Sequence, residues 1–244
     1  MSGSASDLAV AASRRRLVVD AVGIAASVVA FGFVYGFAAQ GAGLSPLEVA
    51  AMGTIVFAGG AQFAAIGYLA GGLAWPAIIL LTGLINARHL LYSAALAPWL
   101  RDVPRPRRAL MAHFLTDETF ALSIAHFTRG GRTDERGYWI AAIAATFIPW
   151  NVATVAGALA GREIASPERF GLDVVFPAAM VGLAVGLLTG RREVVAAVTG
   201  ASIAVTVSLA FGSGIGIVAG GLLGPLLGLI VPKRVAGAAG METP

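Results

Sequence analysis

Long apolar stretches alternate with short polar connections along the whole chain. Eight such stretches are evident, at 17–40, 47–70, 73–98, 110–128, 138–160, 172–190, 193–211 and 214–231. Each is near the roughly 20 residues that a helix needs to cross a hydrocarbon core of about 30 Å. They are too long for barrel strands and lack the alternation of such strands. The pattern predicts an all-α polytopic membrane protein with six to eight transmembrane or re-entrant helical segments.

The composition supports the same class of protein. Of the 244 residues, 57% are hydrophobic and only 12% are charged. A soluble domain carries about 25% charge, so most of this chain must face lipid or other helices. The chain contains no cysteine, which excludes a disulfide scaffold and any thiolate site. We therefore predict a multi-pass protein of the cytoplasmic (inner) membrane whose environment is the lipid bilayer.

Basic residues lie in short clusters between the apolar stretches, at 14–16, 101–108, 129–136, 191–192 and 233–234. Such clusters are typical of loops kept on the cytoplasmic side of a membrane, and they do not indicate a nucleic-acid partner. If all eight stretches cross with the N-terminus inside, the 101–108 loop falls outside. Treating 47–70 and 110–128 as re-entrant places all five clusters inside.

The same pattern divides the chain into three parts. Residues 1–16 are small, polar or basic and are predicted to form a disordered cytoplasmic tail. Residues 17–232 are predicted to form a single helical membrane transport domain, and 233–244 a short C-terminal tail. The first apolar stretch exceeds the 7–15 residues of a signal-peptide core, so we interpret it as an uncleaved span.

Two regularities suggest how the helices are arranged. The heptapeptide that begins at Thr54 aligns with the one that begins at Asp173, and each follows a Ser-Pro pair. This indicates two repeat units joined by 110–128, as in many secondary transporters, with chance similarity of glycine-rich helices as the alternative. Glycines also recur at every fourth position of the last stretch, which predicts a docking groove for a helix of this chain or of a partner. They are Gly212, Gly216, Gly220, Gly224 and Gly228.

Polar residues at membrane depth are the candidates for chemistry. A guanidinium such as Arg88 within a span requires a carboxylate partner, a cavity or a bound anion. Within 110–128, His113 and Asp117 are predicted to stack at i,i+4, with Glu118 beside them. The other polar or interrupting positions are Asn86 and His89 near Arg88, Gln62 at the Gly59-Gly60 interruption, and Asn151 after Pro149, where 138–160 is predicted to break.

Enzyme interpretations find little support. The three histidines and the Asp117-Glu118 pair show no metal-ligand spacing, and neither a nucleophile elbow nor a P-loop is present. We predict no catalytic residue, no metal and no cofactor. His126 is interpreted as a hydrogen-bonded core residue. The alternative to a functional role of Arg88 is a purely structural ion pair with Asp117 or Glu118.

Together, these features indicate a carrier of a small, charged or zwitterionic, partly apolar solute. Arg88, or helix ends at Gly59-Gly60, would receive a carboxylate. Asp117 or Glu118 would receive an ammonium group or carry a coupling proton. Two alternatives remain: an uncoupled facilitator or channel, and a non-transporting scaffold subunit.

Five motifs then stand in an order that resembles the AzlC-like branched-chain amino acid permease family. They are F-G-F-V-Y-G at 31–36, G-L-S-P at 43–46, V-F-A-G-G-A-Q-F at 56–63, N-A-R-H-L-L-Y-S at 86–93 and T-D-E-T-F at 116–120. The likeness continues through Trp150-Asn151, Gly157, Gly161 and 170–173, and covers about residues 20–190. Gly59-Gly60 departs from the Gly-Ala of many members.

The resemblance implies the large subunit of a two-component exporter of leucine, isoleucine and valine, sometimes methionine. We predict export of branched-chain or similar apolar amino acids, driven by the proton motive force. The resemblance also implies a small AzlD-like membrane subunit as partner. With this in view, the expected substrate-binding residues are Arg88, Asn86, His89, Gln62, Gly59, Gly60 and Asn151. Those expected for proton coupling or an ion pair are Asp117, Glu118 and His113. The glycine groove at 212–228 would be a docking surface for the small subunit.

Overall fold

The computed structural model describes residues 2–163 and 190–232, and positions 178, 181, 182, 185 and 188 between them. The elements in this part of the chain are all helical, which confirms the predicted all-α fold. The chain groups into two compact units, each described by itself below. One comprises Met1–Ala70 and Thr82–Met180, and the other Gly71–Leu81 and Val181–Pro244.

Helix α4 (Trp75–Asn86) begins in the second unit and ends in the first. The other helices of the first unit are α1 (Ser2–Gly41), α2 (Pro46–Ala51), α3 (Gly59–Ala70), α5 (Arg88–Leu100), α6 (Arg105–His113), α7 (Asp117–Gly130), α8 (Glu135–Trp139) and α9 (Ile148–Glu163). Two π-helical segments, Met52–Val56 and Ile140–Phe147, follow α2 and α8. The second unit also contains α10 (Arg191–Phe211) and α11 (Ser213–Ile230).

Five helices in the described ranges are long and apolar enough to cross a membrane. They are Asp7–Gly41, Trp75–Leu100, Glu135–Glu163, Arg191–Phe211 and Ser213–Ile230. The stretch predicted at 172–190 lies almost wholly outside the described residues. The predicted stretches 47–70 and 110–128 are not continuous helices, since each contains more than one helical segment.

Helix α1 extends well beyond a hydrocarbon core, since its 40 residues rise about 60 Å. It is helical where the sequence led us to expect a disordered tail over 1–16. The difference has a packing reason: Val10 is buried, with Gly130 of α7 beside it. Arg14 also forms an ion pair of 2.7 Å with Asp134. These contacts tie the N-terminal turns of α1 to the end of α7.

Glycines allow α1 and α9 to cross so closely that their backbones are in contact. A Cβ added at Gly36 would overlap the backbone of Thr154, and one at Gly157 would overlap that of Phe33. Small residues at such a crossing are a common way for membrane helices to associate. The crossing brings Tyr35 of α1 onto the ring of Trp150 in α9, with ring centroids 5.5 Å apart.

Both irregular stretches are pairs of short helices whose interruptions meet. The first is interrupted at Phe57, which has a left-handed backbone (φ 40°, ψ 52°), two residues before the predicted Gly59. The second is interrupted after Phe114, and α7 begins at the extended N-cap Thr116. The rings of Phe57, Phe114 and Phe147 pack with centroids 5.0–6.3 Å apart. This aromatic contact stabilises a backbone conformation that non-glycine residues seldom adopt.

The predicted break of 138–160 at Pro149 is wrong. The helix is continuous as a candidate span from Glu135 to Glu163. The irregularity instead lies just before the proline, in the π-helical segment, where the Ile148 N–H donates to the Ile143 carbonyl. The wider turns shift the hydrogen-bond register ahead of Pro149, so the missing proline N–H does not end the helix.

In the second unit, the predicted glycine groove is occupied by this chain's own helix. Gly220 and Gly224 of α11 lie against Gly200 of α10, and Gly228 lies against Ala196. The conjecture that a small subunit docks in this groove is therefore corrected, because α10 fills it. The predicted repeat cannot be placed in the same way, since its second half, with Asp173, lies outside the described residues.

Candidate functional site

Arg88 lies between the starts of two helices. It is the first residue of α5, directly after the turn at Ala87 that ends α4. One guanidinium nitrogen is 2.8 Å from the carboxylate of Asp117, the first residue of α7. The same guanidinium lies 3.1 Å from the place that a Cβ on Gly60 would take, in the first turn of α3. The N-termini of α3 and α7, which carry partial positive charge, and the guanidinium of Arg88 thus lie close to the Asp117 carboxylate.

Asp117 is held from two sides. The Tyr92 hydroxyl donates a hydrogen bond of 2.6 Å to its second oxygen, and the Tyr92 ring stacks on Phe120 at 4.5 Å. The pair is partly accessible, with exposed fractions of 24% for Arg88 and 39% for Asp117. Glu118, half-buried beside it, forms no ion pair or hydrogen bond through its carboxylate within the described residues. One carboxylate is therefore engaged and the neighbouring one is free.

Gln62 caps the start of α3. Its side chain is fully buried, and its Oε1 accepts a hydrogen bond of 3.1 Å from the Ala58 N–H. Gly59 brings the helix start against the Trp150 indole, which would lie 3.2 Å from a Cβ there. The predicted interruption thus becomes a capped helix N-terminus with an aromatic neighbour. A larger residue at Gly59 would displace Trp150, and one at Gly60 would displace Arg88.

Asn86 and His89 interact with each other rather than with Asp117. The Nδ1 of His89 lies 2.9 Å from the Asn86 carbonyl oxygen, and its ring meets Tyr92 edge-on at 5.7 Å. These contacts stabilise the turn between α4 and α5. They also fix the backbone from which Arg88 projects.

Asn151 links α9 to the first π-helical segment. Its amide nitrogen donates to the carbonyls of Gly53 at 3.3 Å and Phe147 at 2.9 Å. Its Oδ1 would lie 2.5 Å from a Cβ at Gly53, so a glycine is required at this approach. Asn151 therefore pairs backbone groups at two irregular segments.

The predicted stacking of His113 with Asp117 is wrong. The two residues do not share a helix, since α6 ends at His113 and the chain turns before α7. The Nε2 of His113 instead lies 3.0 Å from the carbonyl of Thr54, in the first π-helical segment. His113 thus pairs a carbonyl near the interruption at Phe57.

A group of buried polar atoms at these residues has no hydrogen-bond partner among the described residues. Buried polar atoms are almost always paired, so these atoms have hydrogen-bonding capacity left for water or a polar solute. The group includes donors and an arginine as well as amide acceptors, which suits a solute with both kinds of group. The atoms are Gln62 Nε2, Asn86 Oδ1, Arg88 Nε and Asn151 Oδ1, together with the Tyr35 hydroxyl and Trp150 Nε1.

The residues expected from the sequence to form the site did not include Tyr92 or the aromatic residues beside Gly59. Tyr92 follows Arg88 by four residues, which places both on one helix face, and that spacing was the available signal. Tyr35, Phe63 and Trp150 form a second aromatic group with centroids 5.4–6.3 Å apart. All three lie in motifs that carry the family resemblance, but hydropathy alone does not distinguish them from other apolar residues of a membrane helix.

A second polar cluster, outside the candidate site, is fully paired. His126 is buried, with its ring nitrogens 2.8 Å from the Ser13 hydroxyl and 2.9 Å from the Asp134 carboxylate. This confirms the interpretation of His126 as a hydrogen-bonded core residue. Burial acts to raise the pKa of Asp134, but hydrogen bonds from His126 and Arg14 outweigh it and hold that pKa below its ordinary value.

The described fold and this site define a multi-pass helical membrane protein with charged residues at interrupted helices. The model of the AzlC protein family matches residues 23–164, more than half of the chain. The chain therefore belongs to the AzlC family, a family of membrane transport proteins.

Relatives by sequence agree with this assignment. The chain is 29% identical to the inner membrane protein YgaZ of Escherichia coli over 217 residues, 86% of this chain and 87% of that protein. It is 25% identical to the branched-chain amino acid transport protein AzlC of Bacillus subtilis over 185 residues, 74% of this chain and 70% of that protein. An uncharacterized membrane protein of Archaeoglobus fulgidus is 29% identical, over 87% of this chain and 93% of its own. No solved structure matches the chain.

Proposed function

We propose that this protein exports branched-chain amino acids across the cytoplasmic membrane, driven by the proton motive force, together with a small AzlD-like membrane subunit. The observation that carries the proposal is the partly exposed Arg88–Asp117 pair at the starts of α5 and α7, next to the α3 N-terminus and beside unpartnered polar atoms. Membership of the AzlC family and the printed name of the Bacillus relative support the class of substrate.

A zwitterion matches the pair group for group. Its carboxylate would replace Asp117 on the guanidinium of Arg88, near the α3 N-terminus at Gly60. Its ammonium group would take the Asp117 carboxylate, with the free carboxylate of Glu118 beside it. The unpartnered atoms of Gln62, Asn86 and Asn151 supply further polar contacts.

The same arrangement offers a way to couple transport to protons. Protonation of Asp117 removes the acceptor of the ammonium group, so a proton and an amino acid compete for one carboxylate. Such competition is what an exchanger requires: the carrier returns with a proton after it has released the solute. Intramembrane carboxylates commonly carry coupling protons in this way.

The test is flux of labelled leucine in proteoliposomes that contain this chain with and without the small subunit. We expect flux that depends on an imposed proton gradient, collapses with an uncoupler, and is competed by unlabelled isoleucine and valine. Flux that ignores the uncoupler would indicate a facilitator. Absence of flux with the small subunit present would contradict the proposed substrate.

A scaffold role is the second candidate, because an ion pair of 2.8 Å is also what a purely structural pair looks like. Under that role the charges stabilise the fold and no solute replaces them. The two candidates differ in what charge exchange between Arg88 and Asp117 does, as argued in the Discussion.

A further inference from the structure

A groove of about 310 Å³ lies between α5 and α6, separate from the residues of the proposed transport site. Its floor is apolar and buried, and includes Leu96, Met111 and Tyr138. The Tyr138 hydroxyl donates to the Met111 carbonyl, so it presents only its ring to the groove. The rim is formed by small exposed residues, among them Ala97 and Ala109. The groove therefore opens sideways and offers almost only apolar contacts.

One end of this groove carries unpaired positive charge. Arg108 lines it, and Arg105, one turn earlier on α6, shares the same face at i,i+3. Neither has a carboxylate partner among the described residues. The neighbouring arginines differ, because Arg101 and Arg107 lie near the carboxylates of Asp102 and Glu135.

The position of the charges relative to the membrane follows from the helices. The candidate span Trp75–Leu100 ends just before the turn that leads into α6. Arg105 and Arg108 therefore lie at the interface end of the groove, where lipid headgroups are found. The apolar floor extends from there along α5 toward the interior of the bilayer.

We propose that this groove binds an anionic phospholipid, with one acyl chain between Ala97 and Ala109, above the buried floor, and its phosphate at Arg108 and Arg105. Basic residues beside an apolar groove between membrane helices are suited to acidic headgroups, since each arginine favours a phosphate. A free amino acid fits less well, because no carboxylate lines the groove to receive its ammonium group. The proposal does not depend on the transported substrate.

The test is native mass spectrometry of the full-length protein after exchange into mixed phosphatidylglycerol and phosphatidylcholine. Two double variants remove the same charge from the same segment: R105Q/R108Q at the groove and R101Q/R107Q outside it. We expect the wild type to retain phosphatidylglycerol selectively. R105Q/R108Q should lose this selectivity by about tenfold or more, whereas R101Q/R107Q should keep most of it.

A second pair of variants tests the acyl chain without changing charge. Ala97 lines the groove, and Ala95 on the same helix is exposed outside it. A97F should displace the retained lipid and A95F should not, with monodispersity on size exclusion as the control for folding.

Four outcomes would overturn the proposal. They are equal losses in the two arginine double variants, equal effects of A97F and A95F, equal retention of phosphatidylcholine, and release of the lipid by excess leucine. The first two show non-specific attraction, the third an unselective surface, and the last a solute site.

Discussion

The guanidinium of Arg88 reaches the carboxylate of Asp117, at 2.8 Å, because two helical stretches are interrupted where they meet. Arg88 begins α5 after the turn at Ala87, and Asp117 begins α7 after the turn at 114–116. Were 110–128 one straight helix, Asp117 would lie in its interior and not at a free N-terminus. The interruptions thus create both the pair and the helix ends around it.

Exchanging the two charges separates a transport role from a structural one. R88D and D117R singly place like charges together and should impair folding. The combined R88D/D117R variant restores opposite charges, so we expect it to fold. We expect it not to transport leucine. The substrate carboxylate would then meet a carboxylate, and not a guanidinium, near Gly60 and the α3 N-terminus. Recovery of full leucine flux in the combined variant would contradict this expectation, and size exclusion with flux assays measures both properties.

Gly60 provides a finer probe of the Arg88 position. A Cβ there would lie 3.1 Å from the guanidinium, closer than ordinary contact, so G60A should move the side chain by a few tenths of an ångström. Because a small misplacement of a binding group is costly, we expect leucine flux to fall several-fold. G83A is the matched control, since its Cβ would have nothing within 4 Å. Similar flux in both variants would show that the position of Arg88 is unimportant.

The paired cluster around His126 predicts a pH-dependent stability. D134N removes the negative charge that pairs with both His126 and Arg14 and replaces one carboxylate oxygen by an amide donor, which should cost about 1–3 kcal/mol at neutral pH. A carboxyl whose pKa is lowered by folding stabilises the protein above its unfolded pKa, here near the ordinary 3.8, and this stabilisation is lost as the pH falls through the lower pKa of the folded state. The difference in melting temperature between wild type and D134N should therefore shrink below about pH 3.8. A difference that is constant with pH would exclude this role for Asp134.

The contact between α10 and α11 predicts where glycine is required. At Gly224 a Cβ would lie 2.6 Å from the backbone of Gly200, whereas at Gly214 it would meet nothing within 4 Å. G224A should therefore destabilise the protein by about 1–3 kcal/mol, through overpacking, and G214A by much less. Thermal unfolding in detergent compares the two. Equal stability of G224A and G214A would show that these helices do not pack through this face.

Hydropathy was enough to predict the helical membrane fold, because span length and charge clustering follow directly from the cost of burying polar groups in lipid. It was also enough to find Arg88 and Asp117, since a charge in an apolar stretch must have a partner. The sequence left both Asp117 and Glu118 as possible partners of Arg88. In the structure the partner is Asp117, the first residue of α7.

Each error has a physical cause. The stacking of His113 with Asp117 assumed a continuous helix, but Thr116 accepts the Thr119 N–H and begins a new one. The break at Pro149 ignored π-helical turns, which carry no sequence signal that hydropathy can detect. The helical start of α1 is held by the Arg14–Asp134 ion pair and the burial of Val10, and such long-range contacts cannot be read from local composition. Two of these errors thus concern backbone hydrogen bonding within a segment, and one concerns a tertiary contact.

The central claim is that Arg88 and Asp117 together bind the transported amino acid. Counterflow of labelled leucine, in proteoliposomes with the small subunit and without any gradient, measures this step apart from energy coupling. We predict that R88A and D117N each reduce counterflow by about tenfold or more, while R107A, an exposed arginine outside the site, leaves it unchanged. Normal counterflow in folded R88A and D117N would contradict the account and leave the ion pair with a structural role alone.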